Sequence, residues 1–324
     1  MKTNLFVSNR LRGVGLALLA VAFFSSAYLV FANETRRLPA SVSFFWFSCF
    51  ACLASWAFFH PKQKWTESLH QGGYRWLLTD ILLYCCSFSC TLTALKQQQT
   101  GVALTVIAIM ILRAPLTTIV GYFIAGDSCQ RWSAYWIGTT LALFGLILYR
   151  LDLLREWKGN SLDAVTMFSL CATVLSSIDA TVRKRYRNTF HVDPANAVRS
   201  TFTAAVIFSL CWVLIDISMH RVSPWLTTRE WIAVIYLGIV PTAIANILFN
   251  KAEDSLSIPI TQSINCLGPF FTLGIGMIPL SFFTMSHQHL VSRHYIGLVL
   301  TVVGAIIVTL FAGVKRRLPT PPLL

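Results

Sequence analysis

The chain has 324 residues, of which 55% are hydrophobic and only 12% are charged, and its mean hydropathy is +0.63. Soluble domains carry about twice that charged fraction, so the composition excludes an ordinary soluble enzyme or binding domain. The net charge of +13 would suit a nucleic-acid-binding protein, but the basic residues lie in short segments between long apolar runs. Loop lysines and arginines of this kind orient membrane helices, so no nucleic-acid partner is expected.

Ten apolar runs are long enough to cross a bilayer, which takes about 20 residues of helix. The first run follows basic residues, as a signal peptide would, but it is longer than the apolar part of a signal peptide. The connecting segments are short and leave no room for a soluble domain. The sequence therefore predicts an all-α integral membrane protein with ten transmembrane helices, at residues 13–32, 40–59, 75–94, 102–125, 133–150, 162–182, 195–218, 230–250, 257–283 and 294–314.

The charges of the connecting segments predict the orientation of these helices. Segments on the side of the N-terminus carry 15 lysines and arginines, and those on the opposite side carry nine. Because positive charge is enriched on the cytoplasmic side, we expect both termini to be cytoplasmic. Residues 60–74 and 183–194 are then cytoplasmic, and residues 151–161 are outside. A bacterial cell inner membrane is the expected location, although an organelle membrane would require the same features.

The nine cysteines do not indicate a metal or redox site. Cys49 and Cys52 form a CxxC, but the chain has no second CxxC and no histidine pair at ligand spacing. Buried free cysteines are usually small apolar packing residues. The sequence also lacks a phosphate-binding GxxxxGK[ST] loop, which excludes ATP-driven transport by this chain alone. We therefore expect no metal, no cofactor and no enzymatic activity.

Three sequence patterns recur in the same order in the two halves of the chain. They are YWIGTTLALFGLIL (135–148) with HYIGLVLTVVGAII (294–307), ILRAPLTT (111–118) with NCLGPFFT (265–272), and AFFSSAYL (22–29) with TVLSSIDA (173–180). The repeats predict two units, residues 1–156 and 157–324, with five helices each. An odd number of helices inverts the second unit relative to the first, which is typical of secondary transporters with a substrate site near the bilayer midplane.

With these patterns the whole chain resembles the drug/metabolite transporter superfamily, in particular its EamA-type members with two five-helix repeats. The resemblance includes YLGIVPTAIAN (236–246), the proline in the fourth helix of each half and the glycine-rich fifth helix. It implies a monomeric or homodimeric secondary transporter, driven by protons or by an exchanged solute. Its substrate would be a small polar metabolite such as an amino acid, S-adenosylmethionine or a nucleotide-like compound. A flippase for lipid-linked intermediates and a non-transporting membrane scaffold are the alternatives.

One positive charge, Arg113, lies near the middle of the fourth predicted helix. A charged side chain at this depth costs about 2.5–3.5 kcal/mol and usually faces an interior cavity. Thr105 and Thr117 share its predicted helical face, and Pro115 frees a backbone carbonyl at about Ile111. A guanidinium matches carboxylate or phosphate groups, so the residue is a candidate anion ligand. A structural ion pair between helices and a lipid-facing position are the other interpretations.

The corresponding ninth helix carries a second row of polar side chains. Thr261, Asn265 and Thr272 share one face, and Gln262 lies beside them. Two polar rows at the midplane, each with a proline, predict a substrate site lined by both halves.

Further charged and polar residues are candidates for gating or coupling. Asp80, Asp179 and Arg199 are predicted about one turn inside the cytoplasmic face, and Asn246 lies at a similar depth. Asp179 has Arg183 four residues later, which predicts either a simple interfacial ion pair or a gate that breaks when the site opens inward. Asp80 or Asp179 is also a candidate proton carrier.

At the opposite end, Tyr28 is a candidate gate. Together with Phe24 and Phe31 it would close the outer end of the site. Aromatic residues at helical spacing also pack in ordinary helix interfaces, so this alternative stays open.

Overall fold

The fold, known from a computed structural model, is described for residues 2–35, 37–58, 73–97, 102–124, 127–129, 131–149, 164–219, 225–256, 258–278, 292–308, 311 and 314–316. Its elements are α1 (Lys2–Asn33), α2 (Ala40–Phe58), α3 (Tyr74–Leu95), α4 (Val102–Met110), α5 (Arg113–Ile124), β1 (Asp127–Cys129), α6 (Trp132–Tyr149), α7 (Ala164–Thr189), α8 (Pro194–Ser218), α9 (Thr228–Leu237), α10 (Ala245–Ser255), α11 (Ile258–Asn265), α12 (Gly268–Gly276), α13 (Ser292–Ile307) and β2 (Val314–Arg316). A π-helical segment, Gly238–Ile244, joins α9 to α10. The predicted outside segment 151–161 and most of the predicted cytoplasmic segment 60–74 lie outside the described residues.

Six helices of the described chain are long and apolar enough to cross a bilayer. They are Leu11–Asn33, Ala40–Phe58, Tyr74–Leu95, Ala164–Thr189, Pro194–Ser218 and Thr228–Ser255. Together they confirm the prediction of an integral membrane protein built from helices. The total of ten spans and the division into two repeats stay predictions.

The fourth predicted span is two helices and not one. α4 ends at Met110 and α5 begins at Arg113. At this break the backbone N–H groups of Leu112 and Ala114 donate to carbonyls three residues back, at 3.1 and 3.2 Å. Pro115 has no N–H to donate, and the first turn of a helix tolerates that loss. The prediction of one helix over residues 102–125 is therefore wrong, because hydropathy does not report a local change in backbone hydrogen bonding.

The ninth predicted span breaks in the same way. α11 ends at Asn265 and α12 begins at Gly268, with Pro269 in the first turn. The N–H groups of Cys266 and Leu267 also donate to carbonyls three residues back, at 3.1 and 3.0 Å. One continuous helix over residues 257–283 is therefore also wrong, and residues 279–283 lie beyond the described part of the chain.

Helix α7 is longer than predicted. The sixth span was expected to end at residue 182, with the basic run RKRYR (183–187) in a cytoplasmic loop, but α7 continues to Thr189. Arg183, Lys184 and Arg187 are buried, with 5–9% of each residue exposed. The loop assignment is wrong because these charges meet acidic partners inside the protein, which a count of loop charges does not consider.

The helices pack pairwise, and each of the first three packs along a helix from the second half of the chain. α1 packs on α10, α2 on α8 and α3 on α7. The largest apolar cluster lies between them, where the Phe47 ring contacts those of Phe31 and Phe88, with centroids 5.5 and 4.9 Å away. The short strands β1 and β2 pair antiparallel.

Helices α6 and α13 form a pair with close backbone contact. A Cβ atom added to Gly145 would lie 2.5 Å from the carbonyl oxygen of Gly297, and one added to Gly138 would lie 2.5 Å from that of Gly304. These glycines are the ones in the repeated YWIG and HYIG patterns. The two patterns therefore meet each other in the fold, and only residues without a side chain fit at the crossing.

Candidate functional site

Arg113 is the first residue of α5 and lies directly after the break in the fourth span. Its side chain is half-buried, and its Nε atom is fully buried without a hydrogen-bond partner among the described residues. Within the described part of the chain, no carboxylate lies within 4.0 Å of its guanidinium. Asp179 and Glu253 interact with it electrostatically from farther away. The arginine thus keeps a buried donor available for a ligand.

The backbone carbonyls exposed by this break find partners inside the protein. The oxygen of Ile111 accepts from the N–H of Ala114 and, at 3.7 Å, from the thiol of Cys266. The oxygen of Arg113 accepts from the Thr117 hydroxyl at 2.6 Å and from Ser177 at 3.5 Å. The sequence predicts that the freed carbonyl at Ile111 needs a partner, and that partner is the Cys266 thiol. From the sequence alone, this cysteine is predicted only to fill space in the core.

The same cysteine connects the two broken spans. The single thiol proton of Cys266 lies within reach of two carbonyl oxygens, that of Ile111 at 3.7 Å and that of Gln262 at 3.5 Å. The Gln262 side chain is 1% exposed, and both its amide nitrogen and its amide oxygen lack hydrogen-bond partners among the described residues. Asn265 is half-buried and Thr261 is buried. The breaks therefore meet each other, with Arg113 on one side and Gln262 on the other.

The remaining residues of the predicted polar rows have other surroundings. The side chain of Thr105 lies outside the described part of the structure. Thr117 is 1% exposed, and its hydroxyl is already used by the Arg113 carbonyl. Thr272 on α12 is fully buried, and its hydroxyl has no partner in the described chain. Thr105 and Arg113 lie on different helices, α4 and α5. Helical spacing therefore does not place their side chains on one face.

The predicted gating residues Asp80 and Asp179 lie together around Arg183. The Nε of Arg183 binds Asp80 at 2.9 Å, and its Nη2 binds Asp179 at 2.8 Å. Thr201 donates to the second oxygen of Asp80 at 3.0 Å. Oδ1 of Asp179 is buried without a hydrogen-bond partner among the described residues. This cluster joins α3 to α7, so it connects the first half of the chain with the second.

A neighbouring cluster was missed by sequence reasoning. Arg187 forms ion pairs with Glu253 at 3.7 Å and with Asp254, and its Nη2 also donates to the carbonyl of Asn250 at 3.2 Å. These acids follow the predicted end of the eighth span at residue 250. The signal was the pair of acids in NKAEDS (250–255), which looked like a solvated loop but lies in α10.

The other gating candidates lie apart from this cluster. Arg199 donates to the carbonyls of Ser55 and Trp56 at 3.0 and 3.3 Å, at the end of α2. Asn246 donates to the carbonyl of Thr242 in the preceding turn at 2.7 Å.

Tyr28 lies beside the break in the fourth span and not at the end of α1. Its hydroxyl donates to the sulfur of Met110 at 2.9 Å. Phe24 and Phe31 do not form one group with it, because Phe24 packs on Phe249 and Phe31 packs on Phe47. The predicted aromatic closure of the outer end is therefore not found in this structure.

A different set of charges occupies that end. Glu34, directly after α1, binds both Nε and Nη2 of Arg229 on α9, the latter at 2.6 Å. Lys96, directly after α3, donates to the backbone carbonyl and the hydroxyl of Thr35 and to the Ser43 hydroxyl, at 2.9 and 3.0 Å for the two hydroxyls. Sequence reasoning had counted Lys96 and Arg229 only as loop charges.

Comparisons with known proteins agree with this architecture. The family model for the EamA-like transporter family matches residues 164–310. No curated protein matches the sequence. A crystal structure of another protein has the same fold, with a TM-score of 0.64 and 17% identity, over 94% of this chain and 97% of that one. The second half of the chain therefore carries the EamA-like transporter domain, which confirms the resemblance to EamA-type members of the drug/metabolite transporter superfamily.

Proposed function

We propose that the protein is a secondary active transporter that moves a small polar metabolite, anionic or zwitterionic, by alternating access. The observation that carries this proposal is the side chain of Arg113, which has a buried, unpartnered Nε and no carboxylate within ion-pair distance in the described chain. A buried guanidinium without a close counter-ion favours binding of a carboxylate or phosphate group.

The two broken spans support a site between the halves of the chain. Irregular backbone is tolerated at membrane depth only inside protein or beside a cavity, and transporters use such breaks to bind substrate. Here the breaks at 111–112 and 266–267 meet through Cys266, and Pro115 and Pro269 follow them at similar distances. This likeness favours the two-repeat organisation, with Gln262, Thr261 and Asn265 opposite Arg113.

Alternating access needs contacts between the halves that exchange during the cycle. The cluster of Asp80, Asp179 and Arg183 suits this role, because it joins α3 to α7 close to the site. We place it on the cytoplasmic side from the loop charges, and we infer proton coupling through Asp80 or Asp179, with solute exchange as the alternative. The protein is expected in a bacterial inner membrane with both termini cytoplasmic.

The test compares wild type, Arg113→Ala and Arg113→Lys. Each purified protein is heated with succinate, leucine, AMP or S-adenosylmethionine, and with glucose as an uncharged control. A ligand that binds only the folded state raises the melting temperature. We expect wild type to respond to at least one charged compound, Arg113→Ala to fold and not respond, and Arg113→Lys to respond weakly because an ammonium lacks the bidentate donors.

The structural alternative predicts the opposite order. If Arg113 only neutralises buried acids, its removal costs about 3–5 kcal/mol of stability and leaves ligand binding intact in the folded fraction. A badly destabilised Arg113→Ala variant that still responds to the same compound would remove the arginine from the substrate site.

A further inference from the structure

Among the described residues, two ion pairs connect the first half of the chain to the second, and they lie toward opposite ends of α3. Asp80, near the start of α3, binds Arg183 on α7 at 2.9 Å. Lys96, which follows α3, holds Thr35, and the adjacent Glu34 binds Arg229 on α9. Lys96 follows Asp80 by sixteen positions, which along a helix is a distance of about 24 Å. We call these the Asp80 end and the Glu34 end.

The Glu34–Arg229 pair differs from an ordinary surface ion pair. Nε and Nη2 of Arg229 both donate to the Glu34 carboxylate. The Glu34 side chain is 4% exposed, whereas that of Arg229 is 58% exposed. A carboxylate left buried without its partner is costly. Glu34 therefore separates from Arg229 only if water reaches it, so that breaking the pair and opening the Glu34 end are the same event.

A second pair of opposite charges crosses the same interface. Lys96 interacts electrostatically with Glu230, which also closes the capping box at the start of α9 with Thr227. The first half thus contributes Glu34 and Lys96, and the second half contributes Arg229 and Glu230. The Glu34–Arg229 pair is the direct ion pair across this end, and a protonated Lys96 adds a longer-range attraction to Glu230.

We propose that Glu34, Lys96, Arg229 and Glu230 form the gate at the Glu34 end, and that it opens while the Asp80–Arg183 pair remains closed. Lys96 positions the gate through Thr35, and the Glu34–Arg229 pair breaks on opening. The inference depends on the alternating-access function proposed above, and it replaces the aromatic closure expected from Tyr28.

The experiment measures backbone hydrogen exchange by mass spectrometry, without any ligand. The proteins are wild type, Glu34→Gln, Asp80→Asn and the charge swap Glu34→Arg with Arg229→Glu. Arg37→Gln is the matched control, because it removes an exposed charge from the same turn. We expect Glu34→Gln to speed exchange in residues 33–43 and 227–234 and to leave residues 176–189 unchanged or slower.

The Asp80→Asn variant should give the reverse pattern, and the charge swap should return the Glu34 end toward wild type. If Glu34→Gln does not fold, the charge swap still tests whether the ion pair at this end controls exchange. If exchange in Glu34→Gln is faster at both ends, or at neither end, the Glu34–Arg229 pair is a fixed structural contact and the gate proposal is wrong. If a charged compound raises the melting temperature of wild type but exchange in Glu34→Gln changes at both ends or at neither, the gate proposal is wrong and the transporter proposal stands. Opposite responses at the two ends, in a protein that binds none of the compounds, would keep the gate and reject the Arg113 site.

Discussion

Arg113 on α5 and Arg183 on α7 have contrasting surroundings. Arg183 is shared by Asp80 and Asp179, whose carboxylates lie 2.9 and 2.8 Å away. Arg113 has only distant acids and a buried nitrogen without a partner in the described chain. Arg183 is therefore neutralised within the protein, whereas Arg113 has no ion-pair partner in the described chain, which is the basis for proposing it as the anion ligand.

The acids around Arg183 give the first prediction. If Asp80 or Asp179 carries a proton, its replacement by Asn abolishes gradient-driven accumulation in proteoliposomes and leaves solute exchange intact, because the amide keeps the shape but cannot ionise. Uptake of whichever charged compound binds wild type is measured with and without a pH gradient. Asp216→Asn is the control, because Asp216 lies on α8 fifteen residues after Thr201, the α8 residue that binds Asp80, and accepts instead from the Ser41 hydroxyl. Full accumulation by both variants would leave exchange as the mechanism.

Lys96 gives a prediction on pH. Burial of its ammonium lowers the pKa of Lys96 to about 7, from an ordinary value of 10.5. Between these pH values the unfolded chain binds a proton that the folded chain does not, so the free energy of unfolding rises with pH in this window. We expect the melting temperature of wild type, relative to Lys96→Met, to rise from pH 7 to pH 10. If the melting temperatures of wild type and Lys96→Met change with pH in the same way, this prediction is wrong.

Part of the charge network was predictable from the sequence. The spacing of Asp179 and Arg183 predicts their ion pair, which the structure confirms at 2.8 Å. The participation of Asp80 was not predictable, because it depends on which helix packs beside α7. Glu34 and Arg229 are 195 residues apart, and no local pattern connects them.

At the scale of helices, the breaks in the fourth and ninth spans place the candidate site. At each break the backbone N–H groups bond to the carbonyl three residues back and not, as in an α-helix, four residues back. A proline follows each break. The apolar runs were predictable because burial in lipid requires them. Pro115 and Pro269 predict a lost backbone hydrogen bond near each break, but not that one helix ends and another begins there, because hydropathy does not report the backbone bonding of residues 111–112 and 266–267.

The α6–α13 pair gives a prediction at this scale. In Gly145→Ala the new methyl group would lie 2.5 Å from the Gly297 carbonyl and 2.6 Å from the Thr301 nitrogen, which are backbone atoms that cannot move aside alone. Overpacking of this kind costs about 1–3 kcal/mol, so the melting temperature should fall. Gly274→Ala in α12 is the control, because a Cβ there meets nothing within 4 Å. Equal melting temperatures would show that the crossing is looser than described.

At the scale of the whole molecule, charge is distributed in two layers between the halves, one at the Asp80 end and one at the Glu34 end. The apolar cluster and the meeting of the two breaks lie between these layers. A charged contact at each end of the interface between the halves is what the proposed alternating access requires.

The orientation of this arrangement is tested by reporter fusions. From the charge difference between the two sides, a reporter fused after residue 193 should be cytoplasmic and one fused after residue 158 should be outside. The Glu34 end is then external. Because residues 183–189 are helical, the predicted cytoplasmic turn is confined to residues 190–193. A reporter after residue 193 that is found outside would reverse the assignment of both gates.

The glycine contacts between α6 and α13 also limit how this sequence changes over generations. Gly138 faces Gly304 and Gly145 faces Gly297, so each small residue in the first half is matched by one in the second. A larger residue at any of the positions 138, 145 and 304 meets backbone atoms of the other helix although its partner is glycine, so it is tolerated only if the two helices move apart. Related sequences should therefore keep glycine at both members of a facing pair, or lose it together with a wider separation of the helices. The two halves, although free to diverge elsewhere, remain evolutionarily dependent on each other at this crossing.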